Sequence, residues 1–266
     1  MGPASDAWQE LDRELQAWDA EGRQATLWWR DDDCVEPSAA LDRLLGMAER
    51  HGIPLALAVV PARMSSRLPA RLAACGPGIS VLQHGYAHRN HAPAGEKSRE
   101  LGPDRPRASI LEELGRGAAR LQGQIPAERH LAVLVPPWNR MDPSLIPGLG
   151  PLGFIGLSTD GPRAAAVTDS GLRQVNAHLD LLRTARKGRQ FDPAEAIGDL
   201  VRHLAARRRG EADPEEPSGI LSHHLAHEEP AWALLDELLA RLAAHPAAGF
   251  LGAHDIFTAA EGPASP

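Results

Sequence analysis

Cysteine is nearly absent from this 266-residue chain, and Cys34 and Cys75 are too few to brace a domain of this length with a disulfide framework. A reducing compartment is the expectation. No stretch approaches the roughly 18 consecutive apolar residues of a membrane span. The opening Met1-Gly2-Pro3-Ala4-Ser5-Asp6-Ala7-Trp8 has neither the basic start nor the apolar run of a secretory signal. These features predict a cytoplasmic protein with no membrane partner. Positive charge is in deficit: 28 Lys and Arg stand against 35 Asp and Glu, a net charge of −7, and the only basic block is Arg207-Arg208-Arg209. Nucleic acid is therefore excluded as the main partner. What the chain has in excess is histidine, 12 residues beside one Tyr and four Phe, which directs attention to metal and proton-transfer sites.

Hydrophobic residues at 43% and charged residues at 24% match an ordinary globular protein, and the length allows one large domain or two small ones. Trp8, Leu11, Leu15 and Trp18 recur at spacings of three and four, which predicts a leading helix over residues 6–20 stopped by Gly22. A short β-prone run at 26–29 then ends in Arg30-Asp31-Asp32-Asp33. Ser38 is placed to cap a helix reaching Gly52, and residues 54–60 form a continuous apolar run bounded by prolines. Further strands are expected at 79–82, 131–135, 154–157, 172–177, 219–222 and 250–253, with helices at 108–122, 193–207 and 231–244. Apolar strands alternating with helices imply a parallel sheet, and seven or eight such units fit a single α/β barrel domain. The polar stretch at 92–107 reads as an active-site loop and that at 209–218 as a surface loop. Residues 259–266 are expected to be disordered.

In a parallel barrel the chemistry sits where strands end, so the residues after each apolar run are the candidates. Strand one leads into Asp31-Asp32-Asp33, strand three into Gln83-His84-Gly85-Tyr86-Ala87-His88, and strand four into Pro136-Pro137-Trp138-Asn139-Arg140. Later runs end in Asn176-Ala177-His178-Leu179-Asp180, in Ser222-His223-His224, and in His254-Asp255. Three adjacent carboxylates repel one another unless a cation lies among them, which points to a metal. Two imidazoles and one carboxylate, with a fourth position open, form a hydrolytic zinc arrangement that an Asp, His84 and His88 would supply. His130, His203, His245 and His254 are assigned structural roles. Cys34 reads as a small buried thiol.

Taken in order, the Asp pair, the HxxxH segment, Pro136-Pro137-Trp138 and Leu221-Ser222-His223 resemble the polysaccharide deacetylases, the NodB-homology domains of carbohydrate esterase family 4. The resemblance covers roughly residues 25–255. It implies an irregular (β/α)7 TIM-like barrel and a metal-dependent hydrolase that removes an acetyl group from an N-acetylated sugar or similar amide by attack of an activated water. By the same resemblance Asp32 is the base, Asp33, His84 and His88 hold a divalent metal (zinc, with cobalt, nickel or manganese as alternatives), and His223 is the general acid. Asp31 and Asp32 are the other register for base and ligand. Supporting or substrate-binding roles fall to Arg30, Asp31, Tyr86, Pro137, Trp138, Asn176, His178, Asp180 and His224. Trp138, Tyr86 and Trp28 or Trp29, the aromatic side chains nearest these strand ends, are the flat faces that the resemblance would assign to a sugar ring.

Several positions depart from the family pattern. Cys34 stands where a Gly usually follows the Asp pair. Val135 or Leu134 stands where an Arg usually precedes the prolines and orients the base, leaving Arg30 or Arg140 as its substitute. The family's Asp-x-x-Asp-Trp segment has no match, and Asn176-x-His178-x-Asp180 lies near its place. Two other readings compete: a hydrolase of another non-peptide C–N bond on the same barrel, and a carbohydrate-binding protein without turnover.

Overall fold

A computed structural model describes residues 3–182 and 191–258. The expected disorder at 259–266 lies outside the described residues. Nine parallel strands and seven α-helices form the molecule among these residues. Helix α1 (Pro3–Ala20) precedes strand β1 (Ala25–Cys34), followed by α2 (Ala39–His51), β2 (Leu55–Val59), a short α3 (Leu68–Ala73), β3 (Ile79–His84), α4 (Arg107–Gln124) and β4 (His130–Val135). The second half contains β5 (Gly156–Leu157), β6 (Arg173–Gln174), β7 (Leu179–Asp180), α5 (Pro193–Arg209), β8 (Ser218–Ser222), α6 (Glu229–Ala244), β9 (Ala248–Phe250) and α7 (Ala253–Thr258).

The strand order β6-β5-β4-β3-β2-β1-β8-β7, with β9 added beside β1, is that of the irregular barrel expected from the sequence. Its irregularity lies in one segment. The expected strand at 172–177 is shortened to Arg173–Gln174, which pairs with β5, and a second short strand just beyond it, Leu179–Asp180, pairs with β8, so one passing stretch supplies both edges of the sheet. Asn176, between the two pieces, is buried and spends its side chain on Thr159 and Gly161.

Local chemistry accounts for the element boundaries. Ser38 caps α2 by accepting from Leu41 N at 3.1 Å, and Gly52 ends that helix with φ of 65°, a conformation that costs glycine little. Leu41, Leu44, Leu45 and Ala48 supply the buried face between. Leu11, Leu15 and Trp18 do the same for α1, which packs on α5 and is tied to it by Arg208 with Glu14 and Glu21. Trp28 and Trp29, each 1% exposed, belong to the core. Their indole N–H groups donate to Asn176 O and Ser222 Oγ, so neither offers a face to a sugar.

Two further expectations are corrected. The last strand is Ala248–Phe250 and residue 253 already begins a helix, because Ala253, Ile256 and Phe257 at helical spacing bury the α7 face. The 209–218 stretch is not simply a surface loop: its Glu216 is fully buried.

Candidate active site

Asp31, Asp32 and Asp33 lie inside β1 rather than after it, and strand geometry separates their roles. Arg30 and Asp32 are two residues apart and therefore share one face of the strand. The Arg30 guanidinium grips Asp32 with both ends, Nε to Oδ1 at 2.8 Å and Nη2 to Oδ2 at 3.1 Å. The remaining Arg30 donors reach Ser158 Oγ, Thr159 O and Asn139 Oδ1, and the side chain is entirely buried. A planar fork so satisfied fixes a carboxylate's orientation more firmly than an ammonium can. Of the two arginines the sequence offered, Arg30 is the one that contacts Asp32; Arg140 is exposed and donates to Ser98 O.

Asp31 faces elsewhere. It is fully buried and accepts from Ser222 Oγ at 2.7 Å, His224 N at 3.0 Å and His224 Nδ1 at 2.5 Å, strapping β1 to the end of β8. Burial opposes a charge on His224, but the Asp31 carboxylate outweighs it and raises the imidazole above its usual range.

Asp33 is turned out of the alternation. The register between β1 and β2 slips between Asp31 and Cys34, and Asp33 takes φ of 70°, the signature of a bulge that re-aims a side chain. Its Oδ1 lies 3.2 Å from His84 Nε2 and 3.1 Å from His88 Nε2. Two donors about 2.0–2.1 Å from a tetrahedral ion are separated by about 3.3 Å, and the two Asp33–His distances match that separation, which makes the three residues a candidate ligand group. The tautomer agrees. His84 Nδ1 lies 3.0 Å from Val135 O and donates to it, which leaves the Nε2 lone pair free for a metal. Burial works against the Asp33 charge, but His84, His88 and His223 outweigh it and hold the carboxyl well below its usual range. His84 is raised despite burial by Asp32 and Asp33, whereas His88 is lowered, first by burial and then by the His84 charge.

His223 follows β8, with Nδ1 3.8 Å from Asp180 Oδ1, while its backbone N–H donates to His227 Nε2. His227 escaped the sequence reading; burial pushes its imidazole down to about 4, so it is a neutral acceptor. Trp138 stands over His88 with ring centroids 4.2 Å apart, and Trp138 and Asn139 both have positive φ, uncommon for a residue as bulky as Trp. Pro137 is buried behind Gly85. Tyr86 places its ring beneath the Arg116 guanidinium of α4, 5.1 Å away. Cys34 is a buried thiol whose pKa is raised by burial and by Asp31.

His178 is not brought to this group. Its side chain, 1% exposed, stacks on His203 at 3.4 Å and lies 3.4 Å from Glu216, at the start of β8. The three residues gather like ligands, yet their chemistry does not fit a metal. His178 Nδ1 accepts from Gly219 N at 2.9 Å, so the neutral ring carries its proton on Nε2, the atom facing Glu216. The two imidazole planes are within 11° of parallel, so their in-plane lone pairs do not converge on one ion. This cluster is a buried polar knot between β7, α5 and β8.

A barrel of this strand order is the fold seen in solved polysaccharide deacetylases and family 4 carbohydrate esterases. Comparison with solved structures bears out the fold. A protein from Mycobacterium smegmatis, provisionally named a polysaccharide deacetylase, superposes with a TM-score of 0.66 at 20% identity, covering 89% of this chain and 90% of the other. A family 4 acetyl xylan esterase from Clostridium thermocellum, in complex with a cobalt ion, gives 0.55 at 13% identity over 88% and 90%. A CE4-family pseudoenzyme from Bacillus anthracis gives 0.55 at 11% identity over 86% and 64%. No family model matches the chain. No curated protein matches it by sequence. Among the described residues, no helix is long and apolar enough to cross a membrane.

Proposed function

We propose that the chain is a metal-dependent deacetylase, acting on an N-acetylated sugar or a similar amide. The observation that carries this reading is the division of labour within one tripeptide: Asp33 lies between two imidazoles at ligand spacing, while Asp32 beside it is held by Arg30 as a base needs to be. Asp33, His84 and His88 would hold the ion, zinc fitting this oxygen and nitrogen donor set. When bound, such an ion supplies Lewis acidity toward the acyl oxygen and toward water.

The residues of the chain do the rest. Asp32 accepts a proton from the attacking water, whose oxygen bonds to the acyl carbon, and Arg30 keeps the carboxylate aimed while that proton arrives. His223 delivers a proton to the departing nitrogen as the C–N bond breaks, releasing acetate and an amine. Asp180 lies beside that ring, its Oδ1 3.8 Å from His223 Nδ1. Trp138 gives the substrate a flat apolar face beside His88. The structural relatives include a carbohydrate esterase and a pseudoenzyme, so the presence of the barrel alone does not decide activity.

Metal content of the purified protein is the first test, beside His84→Ala and Asp33→Ala. Near-stoichiometric divalent metal in the wild type, removed by both substitutions, supports the site; a wild type that holds none when supplied with zinc refutes it. Asp32→Asn should keep the metal and abolish acetate release from N-acetylated sugars, and retained turnover would reject Asp32 as the base.

A further inference from the structure

His88 is the one proposed ligand presented by a loop, and the loop's shape comes from a residue outside the motif. It leaves β3 through Gly85 at φ of 52° and reaches His88 at φ of 53°, two left-handed turns within four residues. Such a segment exposes backbone N–H groups that no strand partner satisfies. Three of them meet one carboxylate. Glu100 Oε2 accepts from Tyr86 N at 3.0 Å, and Oε1 accepts from Ala87 N at 2.8 Å and Arg89 N at 3.4 Å. Glu100 is 1% exposed and comes from the polar 92–107 stretch.

The fit is exclusive. A Cβ built on Gly85 would overlap Glu100 Oε2 and the Pro137 ring, so the carboxylate occupies the space that any side chain at 85 would need. Glycine is therefore required there twice over, for its positive φ and for the room it leaves. The rest of the 92–107 stretch is held separately: Arg99 pairs with Asp104 and Glu96, and Asn90 Oδ1 accepts from Ala92 N and Arg99 N. Glu100 is not needed for those contacts.

We propose that Glu100 is a positioning residue for the divalent-ion site, fixing the 85–89 loop so that His88 Nε2 meets Asp33 and His84. The inference rests on the metal reading of those three residues. A carboxylate is required because both of its ends accept. In Glu100→Gln, whichever way the amide turns, an NH2 group faces a backbone N–H that was bonded, and the loop is left with at least one buried donor unpaired. Partners that orient metal ligands typically change metal affinity about 10–100-fold when removed.

The test is zinc affinity of the full chain, by competition against a chromogenic chelator, with the visible spectrum of the cobalt-loaded protein alongside. Glu100→Gln should weaken zinc about 10–100-fold and alter the cobalt bands, as a displaced imidazole requires. Arg99→Ala, which loosens the 92–107 stretch without touching the Glu100 bonds, should leave both near wild type. If Glu100→Gln binds within twofold of wild type, or if Arg99→Ala shows the same loss, the proposal is overturned. Should Glu100→Gln not fold, Gly85→Ala displaces the carboxylate while leaving it in the sequence; unchanged zinc affinity in that variant overturns the proposal equally. A wild type that binds neither zinc nor cobalt sinks the metal reading and this inference together, whereas wild-type binding with an indifferent Glu100→Gln sinks the inference alone.

Discussion

The stacked pair of His178 and His203 makes a quantitative demand on stability at acid pH. His203 is 6% exposed, and burial, with the His178 imidazole and the Arg207 guanidinium beside it opposing a further positive charge, pushes its pKa from 6.5 down to about 2. The folded protein thus refuses a proton that the unfolded chain accepts. Stability held by the neutral ring is complete above pH 6.5 and is lost as pH falls, at about 1.4 kcal/mol per unit. At pH 5 an unfolded His of pKa 6.5 gains RT ln(1 + 10^1.5), about 2 kcal/mol, while His203 in the fold gains almost nothing. This figure depends on the unfolded pKa and hardly on how far below 5 the folded one lies. Other groups titrate over the same range, His84 and His224 in the opposite sense, so the wild-type curve alone does not isolate it. His203→Gln does. Urea unfolding of both proteins at pH 8 and pH 5 should show the wild type losing about 2 kcal/mol more than the variant over that interval. Equal losses would show that His203 accepts a proton within the fold, and the argument from its burial would fail.

Arg30→Lys keeps a positive charge but loses the fork, and because misplacing a catalytic group by about 1 Å can cost about 100-fold, kcat should fall by that order while metal content holds; acetate-release kinetics with metal analysis check it. Gly219→Ala should destabilise by at least 1–3 kcal/mol, since its Cβ would press on Asn176 O and come within 2.6 Å of Trp28 Nε1 and 2.7 Å of Ala177 Cα, two of them backbone; a denaturation midpoint like that of the wild type would contradict this packing. Ser38→Ala removes the α2 cap and should cost about 1 kcal/mol, with activity unchanged, measured by urea unfolding.

Much of the site was legible because strand geometry and metal chemistry both leave periodic marks. The apolar run through Trp29 and the apolar runs before His84 and His223 place those polar residues at strand ends by alternation alone. The choice among three consecutive aspartates was not legible from pattern, because a one-residue bulge decides which carboxylate turns toward the histidines, and Asp33 carries no sequence mark of its positive φ. His178 misled for a related reason. It sits near Asp180 in sequence, but its position at the start of the β7–β8 pairing directs it toward Gly219 and Glu216, at the opposite end of β8 from His223. Glu216 and Glu100 were invisible because each is one of several acids in a polar stretch, and only the fold reveals that each binds backbone amides from another segment. Trp28 and Trp29 looked like sugar platforms since sequence gives side-chain type without depth.

The clamp on Asp32 comes from two residues upstream on the same strand, and this locality has an evolutionary side. An orienting arginine on a neighbouring strand ties the base to the barrel's exact curvature, so any change in strand packing disturbs the pair. With Arg30 and Asp32 on one pleat, carboxylate and holder move as a unit when β1 shifts against β2 or β8. The surrounding loops and neighbouring strands can therefore change without disturbing the pair, since carboxylate and guanidinium travel together on a single three-residue peptide.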